Sequence, residues 1–159
     1  MGRANGFKGK VGLVVGGASG MGNAVVRLLA QEGVRTHVLD IKPTTDGVFQ
    51  SCDVRDYNQV RRCVQQVVAQ DSRIDLLFIA AGVHLFASIE DTSIDEFERV
   101  LSINLKGPFY VLKEVLPVMA TSVSGRGRPA MCDKSSAIAF RASRSTSTDT
   151  APSSPWRSV

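Results

Sequence analysis

The glycine-rich run Gly16-Gly17-Ala18-Ser19-Gly20-Met21-Gly22 is the part of this chain best suited to chemistry, because it joins an apolar stretch to a helical one. A glycine at a strand end permits a tight turn, the next lets the backbone approach a bulky anion, and the last lets helix and strand pack closely. The helix that follows begins with unpaired N–H groups and the positive end of its dipole, which together favour a phosphate. Gly16, Ser19, Gly20, Met21 and Gly22 are the residues expected to hold it. The run is also compatible with an ordinary glycine-rich turn, since its spacing is Gly-x3-Gly-x-Gly and not Gly-x-Gly-x2-Gly.

Asp40 favours the phosphate reading. It ends the next β-rich run, Thr36–Asp40, where a carboxylate can accept hydrogen bonds from an adenosine ribose and repel a 2′-phosphate. The expected cofactor is therefore NAD, with NADP disfavoured, although Lys42 nearby softens the contrast. Cys52, Cys63 and Cys132 show no CxxC spacing and no histidine partner, so neither a metal site nor a disulfide framework is indicated.

The net charge of +4 is confined to the end of the chain. Residues 1–120 carry equal numbers of acidic and basic side chains; beyond Thr121, Arg126, Arg128, Lys134, Arg141, Arg144 and Arg157 face only Asp133 and Asp149. A solvated basic tail accounts for this more simply than a nucleic-acid site. No apolar run approaches the roughly 20 residues of a membrane span, and Met1–Lys10 lacks the apolar core of a signal peptide. The expectation is a reduced, cytoplasmic protein with neither nucleic-acid nor membrane partners.

The elements that must position these residues alternate. Val11–Val15, Thr36–Asp40, Val48–Cys52 and Ile74–Ala80 read as strands. Helical spacing covers 20–32, with Met21, Val25, Leu28 and Leu29 on one face, and 56–69, with Val60, Cys63, Val64, Val67 and Val68. One long helix is expected over 92–119, presenting Phe97, Leu101, Asn104, Leu105, Phe109, Leu112, Leu116 and Met119, with Pro108 as a kink or boundary. Strand–helix alternation with unbroken apolar strands predicts an α/β fold, a doubly wound parallel sheet covered on both faces. A fifth strand near 129–134 is poor in β-branched residues; if it fails to pair, the fourth strand is left as an open edge. Beyond it, serine, threonine, arginine and proline dominate. The expected organisation is a folded unit over 1–138 and a disordered or aberrant tail over 139–159.

Over roughly residues 8–138 the chain resembles the short-chain dehydrogenase/reductase family. Gly16, Gly20 and Gly22 fit its glycine motif, with Val15 where threonine is common. Asp53-Val54 fits the pair that contacts adenine. Ile79-Ala80-Ala81-Gly82 stands in place of Asn-Asn-Ala-Gly, so that only Ala81 and Gly82 agree: side-chain hydrogen bonds are lost there, while the backbone turn can persist. Asn104-Leu105-Lys106-Gly107 and Leu116-Pro117 fit the long helix. The resemblance implies a Rossmann-type sheet, an NAD(H)-dependent interconversion of an alcohol and a carbonyl, a small-molecule substrate, and a homo-oligomer.

It also implies an Asn-Ser-Tyr-Lys tetrad. Asn104 fits the first member, which holds a proton-relay water, and Ser136 the second, which orients the carbonyl. Tyrosine would move the hydroxyl proton, and lysine would lower its pKa. Both are missing: Tyr57 and Tyr110 are followed four residues later by Arg61 and Glu114, not lysine. Near Asp149, where the tyrosine is expected, codons GAT-ACN for Asp149-Thr150 and TCA-AGY for Ser153-Ser154 would contain tyrosine and lysine codons at family spacing in another frame. The sheet is thus expected to be incomplete on its C-terminal side, with turnover impaired and the long helix's apolar face lacking its usual cover. The alternative is a non-catalytic dinucleotide-binding fragment or interaction module.

Overall fold

Strands form where aliphatic residues run unbroken, and the burial of every residue of Val11–Val15 shows why: helices cover both faces of the sheet. The computed structural model describes residues 6–122, 130–133 and 138–141. The elements run β1 (Val11–Val15), α1 (Gly20–Gln31), β2 (Arg35–Asp40), β3 (Val48–Ser51), α2 (Tyr57–Asp71), β4 (Leu76–Ile79), α3 (Ile94–Leu101), a π turn (Ser102–Lys106), α4 (Gly107–Ser122), β5 (Ala130–Asp133) and β6 (Ile138–Arg141). The sheet order is β3-β2-β1-β4-β6-β5. Strands β3, β2, β1 and β4 are mutually parallel, giving the Rossmann-type, doubly wound architecture expected.

The pleat sorts the core into two layers. Leu13, Val15, Leu39, Leu77 and Ile79 meet Val60, Val64 and Val67 of α2 and Val111, Val115 and Met119 of α4. Val14 and Val38 point the other way, onto Val26 of α1. Each such side chain contributes about 1.5–3 kcal/mol on burial. On α2 the expected apolar set is the buried one, save that Val68 is only half-buried. On α1 half of the expected face packs inward: Val25 and Leu29 lie against the buried Val26, whereas Met21 and Leu28 are exposed. Glycine at 22 lets the helix lie so close that its neighbour Met21 is left outside.

The long helix runs unbroken from Ile94 to Ser122 but carries a π turn inside it. At the π turn, Gly107 N–H donates to Ser102 O, five residues back, and Pro108 has no N–H to give Asn104 O. The register advances there, so the buried row of α4 is Val111, Val115 and Met119, while Phe97, Leu105 and Phe109 are exposed.

The C-terminal strands differ from expectation. Ala130–Asp133 is a strand, but it forms the outer edge; β6 pairs antiparallel with β4 through Leu76↔Arg141 to Ile79↔Ile138, so β4 is not an open edge. The short link between β5 and β6 permits only an antiparallel pairing, since a parallel one needs a crossover of a dozen or more residues. Ile138-Ala139-Phe140 has the stronger strand propensity of the two runs. The proposed boundary at 138 falls inside β6; the remainder of the tail lies outside the described residues.

Candidate functional site

The four parallel strands end at one edge of the sheet, and the loops that leave them enclose a cavity of about 480 Å³. At its centre is the turn from β1 to α1. Gly16 N–H donates to Leu39 O at 2.7 Å, and Gly16 has φ +80° with its α-carbon facing Ala81 N, which a Cβ would approach to 2.4 Å. A Cβ on Gly22 would stand 2.0 Å from Gly16 O. Glycine is required at both places for the turn to close. Ser19 is the N-cap of α1, but its side chain makes no capping bond, and no acceptor among the described residues bonds the N–H groups of Gly20, Met21 or Gly22. Those groups and the helix dipole are therefore available to an anion.

Asp40 closes the turn from the neighbouring strand. Its Oδ2 accepts Ala18 N–H and its Oδ1 accepts Lys42 N–H, each at 2.9 Å. A carboxylate has about four lone-pair sites, so capacity remains for a ligand hydroxyl. The loop after β2 is tied to α1 through Asp46, whose Oδ2 accepts from Asn23 Nδ2 at 2.9 Å and Arg27 Nε at 3.1 Å; these bonds hold the Asp46 carboxyl below the usual range.

From β4, Ala80 and Ala81 N–H both donate to Val15 O, at 2.7 and 3.0 Å. The backbone turn at Ala81-Gly82 is thus kept without the asparagine side chains. From β3, Asp53 Oδ1 accepts the backbone N–H of Arg55 at 3.0 Å, and the Arg55 guanidinium grips both carboxylate oxygens. That pairing holds the Asp53 carboxyl below its ordinary range. Beside it, the neighbouring Cys63, together with burial, pushes the Cys52 thiol up, while the Cys63 thiol donates to Ser51 O at 3.7 Å.

The cavity wall brings together Gly16, Ser19, Gly20, Met21 and Gly22 from the turn, Asp40 from β2, Asp53 and Val54 after β3, and Ala81 and Gly82 after β4. Asn104 stands behind the wall: its Oδ1 accepts Val83 N–H at 2.9 Å, and its Nδ2 donates to Val83 O at 2.8 Å. Ser136 lies outside the described residues. Tyr57 and Tyr110 are off the cavity, with ring centroids 5.4 Å apart and Tyr57 Oη donating to Glu114 at 2.5 Å. His84 and Phe86 stack on one another away from it. Among the described residues no cluster of histidine, cysteine or acid is arranged for a metal, and no helix is long and apolar enough to cross a membrane.

Sequence reasoning missed Arg55, Arg99 and Ile103 on this wall. Arg55 carried a signal, two residues after an aspartate at a strand end. Arg99 and Ile103, in α3 and the π turn, carried none, because spacing within a helix does not record which distant loops it will face. Among the described residues neither Arg99 nor Lys42 has a carboxylate within ion-pair distance, although the Arg99 charge helps to lower the Glu96 carboxyl.

Open helix-start amides, a carboxylate on the adjoining strand and a cavity of this size fit the adenosine diphosphate portion of a dinucleotide. The class is that of a Rossmann-type dinucleotide-binding unit. Residues 10–127 match the short chain dehydrogenase family. The chain is 35% identical to (+)-borneol dehydrogenase 1 of Salvia officinalis over 131 residues, 75% of this chain and 50% of that protein. It is 33% identical to a 3-oxoacyl-acyl-carrier-protein reductase of Thermotoga maritima over 132 residues, covering 75% and 54%. Ligand-free aldohexose dehydrogenase of Thermoplasma acidophilum superposes with a TM-score of 0.71 at 27% identity, covering 74% and 47%. This chain belongs to the short-chain dehydrogenase/reductase family of oxidoreductases, which bind nicotinamide dinucleotides. It spans about half the length of the curated relatives it matches.

Proposed function

We propose that this chain binds NAD(H), in preference to NADP(H), as the nucleotide-holding part of an oxidoreductase that interconverts an alcohol and a carbonyl in a small molecule. The single observation that carries the reading is the β1–α1 turn: unpaired amides of Gly20, Met21 and Gly22 beside the Asp40 carboxylate. The amides bind the diphosphate, and Asp40 accepts from the ribose and repels a 2′-phosphate. Asp53 and Val54 meet the base, and Ala81 and Gly82 let the dinucleotide pass close to the backbone. When bound, the nicotinamide supplies the hydride acceptor or donor.

Of the catalytic residues expected, Asn104 acts first as a brace for the loop after β4, and Ser136 would orient the substrate carbonyl. The acid/base pair that the family uses has no counterpart in the sequence, so turnover is expected to be very low. That absence favours the second reading, a dinucleotide-binding module without turnover. The exposed Phe97, Leu105 and Phe109 favour self-association.

Calorimetric titration of the purified chain tests the reading. NAD(H) should bind saturably, and NADP(H) more weakly, by about tenfold or more given the charge repulsion at the half-buried Asp40. No saturable binding of either overturns it. An assay over a panel of alcohols and carbonyls then separates the enzyme from the module.

A further inference from the structure

The base end of the cavity holds a donor and an acceptor side by side. Asp53, ionised and paired, offers only lone pairs. Arg55 directs Nε and one Nη2 hydrogen at it. A guanidinium carries five N–H groups, so the remaining hydrogens on Nη2 and Nη1 have no partner among the described residues. Both residues line the cavity, and the Arg55 side chain is 52% exposed.

A 6-aminopurine shows an N–H donor at its exocyclic position and a lone pair at N1. A 6-oxopurine shows the reverse, an acceptor at O6 and an N1–H donor. A carboxylate alone accepts from the amine of the first or the N1–H of the second, but leaves N1 of the first and O6 of the second without a donor. A carboxylate with a free guanidinium edge beside it can serve either: the amine to Asp53 with N1 to Arg55, or O6 to Arg55 with N1–H to Asp53.

We propose that Asp53 and Arg55 form a two-way base reader, so that the site takes hypoxanthine dinucleotide nearly as well as the adenine one. This rests on the dinucleotide-binding reading above. The pair costs little to rearrange, because an ion pair this exposed is weakly held.

The test is titration of the full chain with NAD and with nicotinamide hypoxanthine dinucleotide. Dissociation constants are expected to differ by less than about fivefold, and Arg55→Ala is expected to weaken both forms by about tenfold, since each loses one hydrogen bond to a charged donor. NAD binding with hypoxanthine binding weaker by about fivefold or more overturns the base reader alone, as does unchanged binding of either ligand in Arg55→Ala. Binding of neither dinucleotide to the unaltered chain overturns the cofactor reading as well. The comparison on the unaltered chain stands even if the variant fails to fold.

Discussion

The Asn104 carboxamide satisfies both backbone polar groups of Val83, receiving its N–H at 2.9 Å and donating to its carbonyl at 2.8 Å. The side chain imitates a β-strand neighbour and so ties the π turn to the loop leaving β4. Val83 in turn lines the cavity. Asn104→Ala removes two hydrogen bonds and should lower unfolding free energy by about 1–2 kcal/mol in denaturant melts. Asn104→Asp should be no better, because its second oxygen would face the Val83 carbonyl. A wild-type melt from either variant would show that the loop does not depend on this brace.

Gly22→Ala should be far more severe. The new methyl would meet Gly16 O at 2.0 Å, backbone against backbone, with no flexible side chain to yield. The expected loss is about 3 kcal/mol or more, with dinucleotide binding abolished in whatever folded fraction remains. Circular dichroism melts and titration of the same sample would check both parts.

Asp75 makes stability depend on pH. It is buried, accepts Val11 N–H at 2.9 Å, and is ion-paired with Arg73 and with Lys10 at 3.5 Å. Burial pushes its carboxyl up, but Arg73, the Val11 amide and Lys10 outweigh that and leave it below its ordinary 3.8. The folded value lies below the unfolded one, so the contribution is complete at neutral pH and is lost as pH falls below 3.8 through the folded value. The melting temperature should drop in that window. Asp75→Asn should melt lower at neutral pH and show a flatter acid limb; an unchanged acid limb would place the pH dependence elsewhere.

Phe97, Leu105 and Phe109 are 50%, 63% and 60% exposed. Apolar side chains this exposed along α3, the π turn and α4 should drive self-association. Sedimentation should show a molecular mass that rises with concentration, and replacing all three by serine should lower it without shifting the melt. A monodisperse monomer at every concentration would remove the expectation.

Much of this was settled by residue order. The glycine turn is legible because only glycine survives a φ of +80° at 16 and a backbone contact at 22, constraints that are local to a few residues. The central strand is legible because a strand buried on both faces must be apolar at every position, as Val11–Val15 is. Asp40 follows from its place at the end of β2, and Asp53 from the family resemblance. Tertiary packing decided the rest. The π turn at Ser102–Lys106 rotated the buried row of α4 away from Phe97, Leu105 and Phe109, because such a turn changes helix phase and periodicity alone assumes a constant one. Ile138–Arg141 took the edge of β4 because strand pairing compares distant segments for the same hydrogen bonds. Arg99 and Ile103 line the cavity from α3 and the π turn, and no spacing rule within one element records which distant loops it will face.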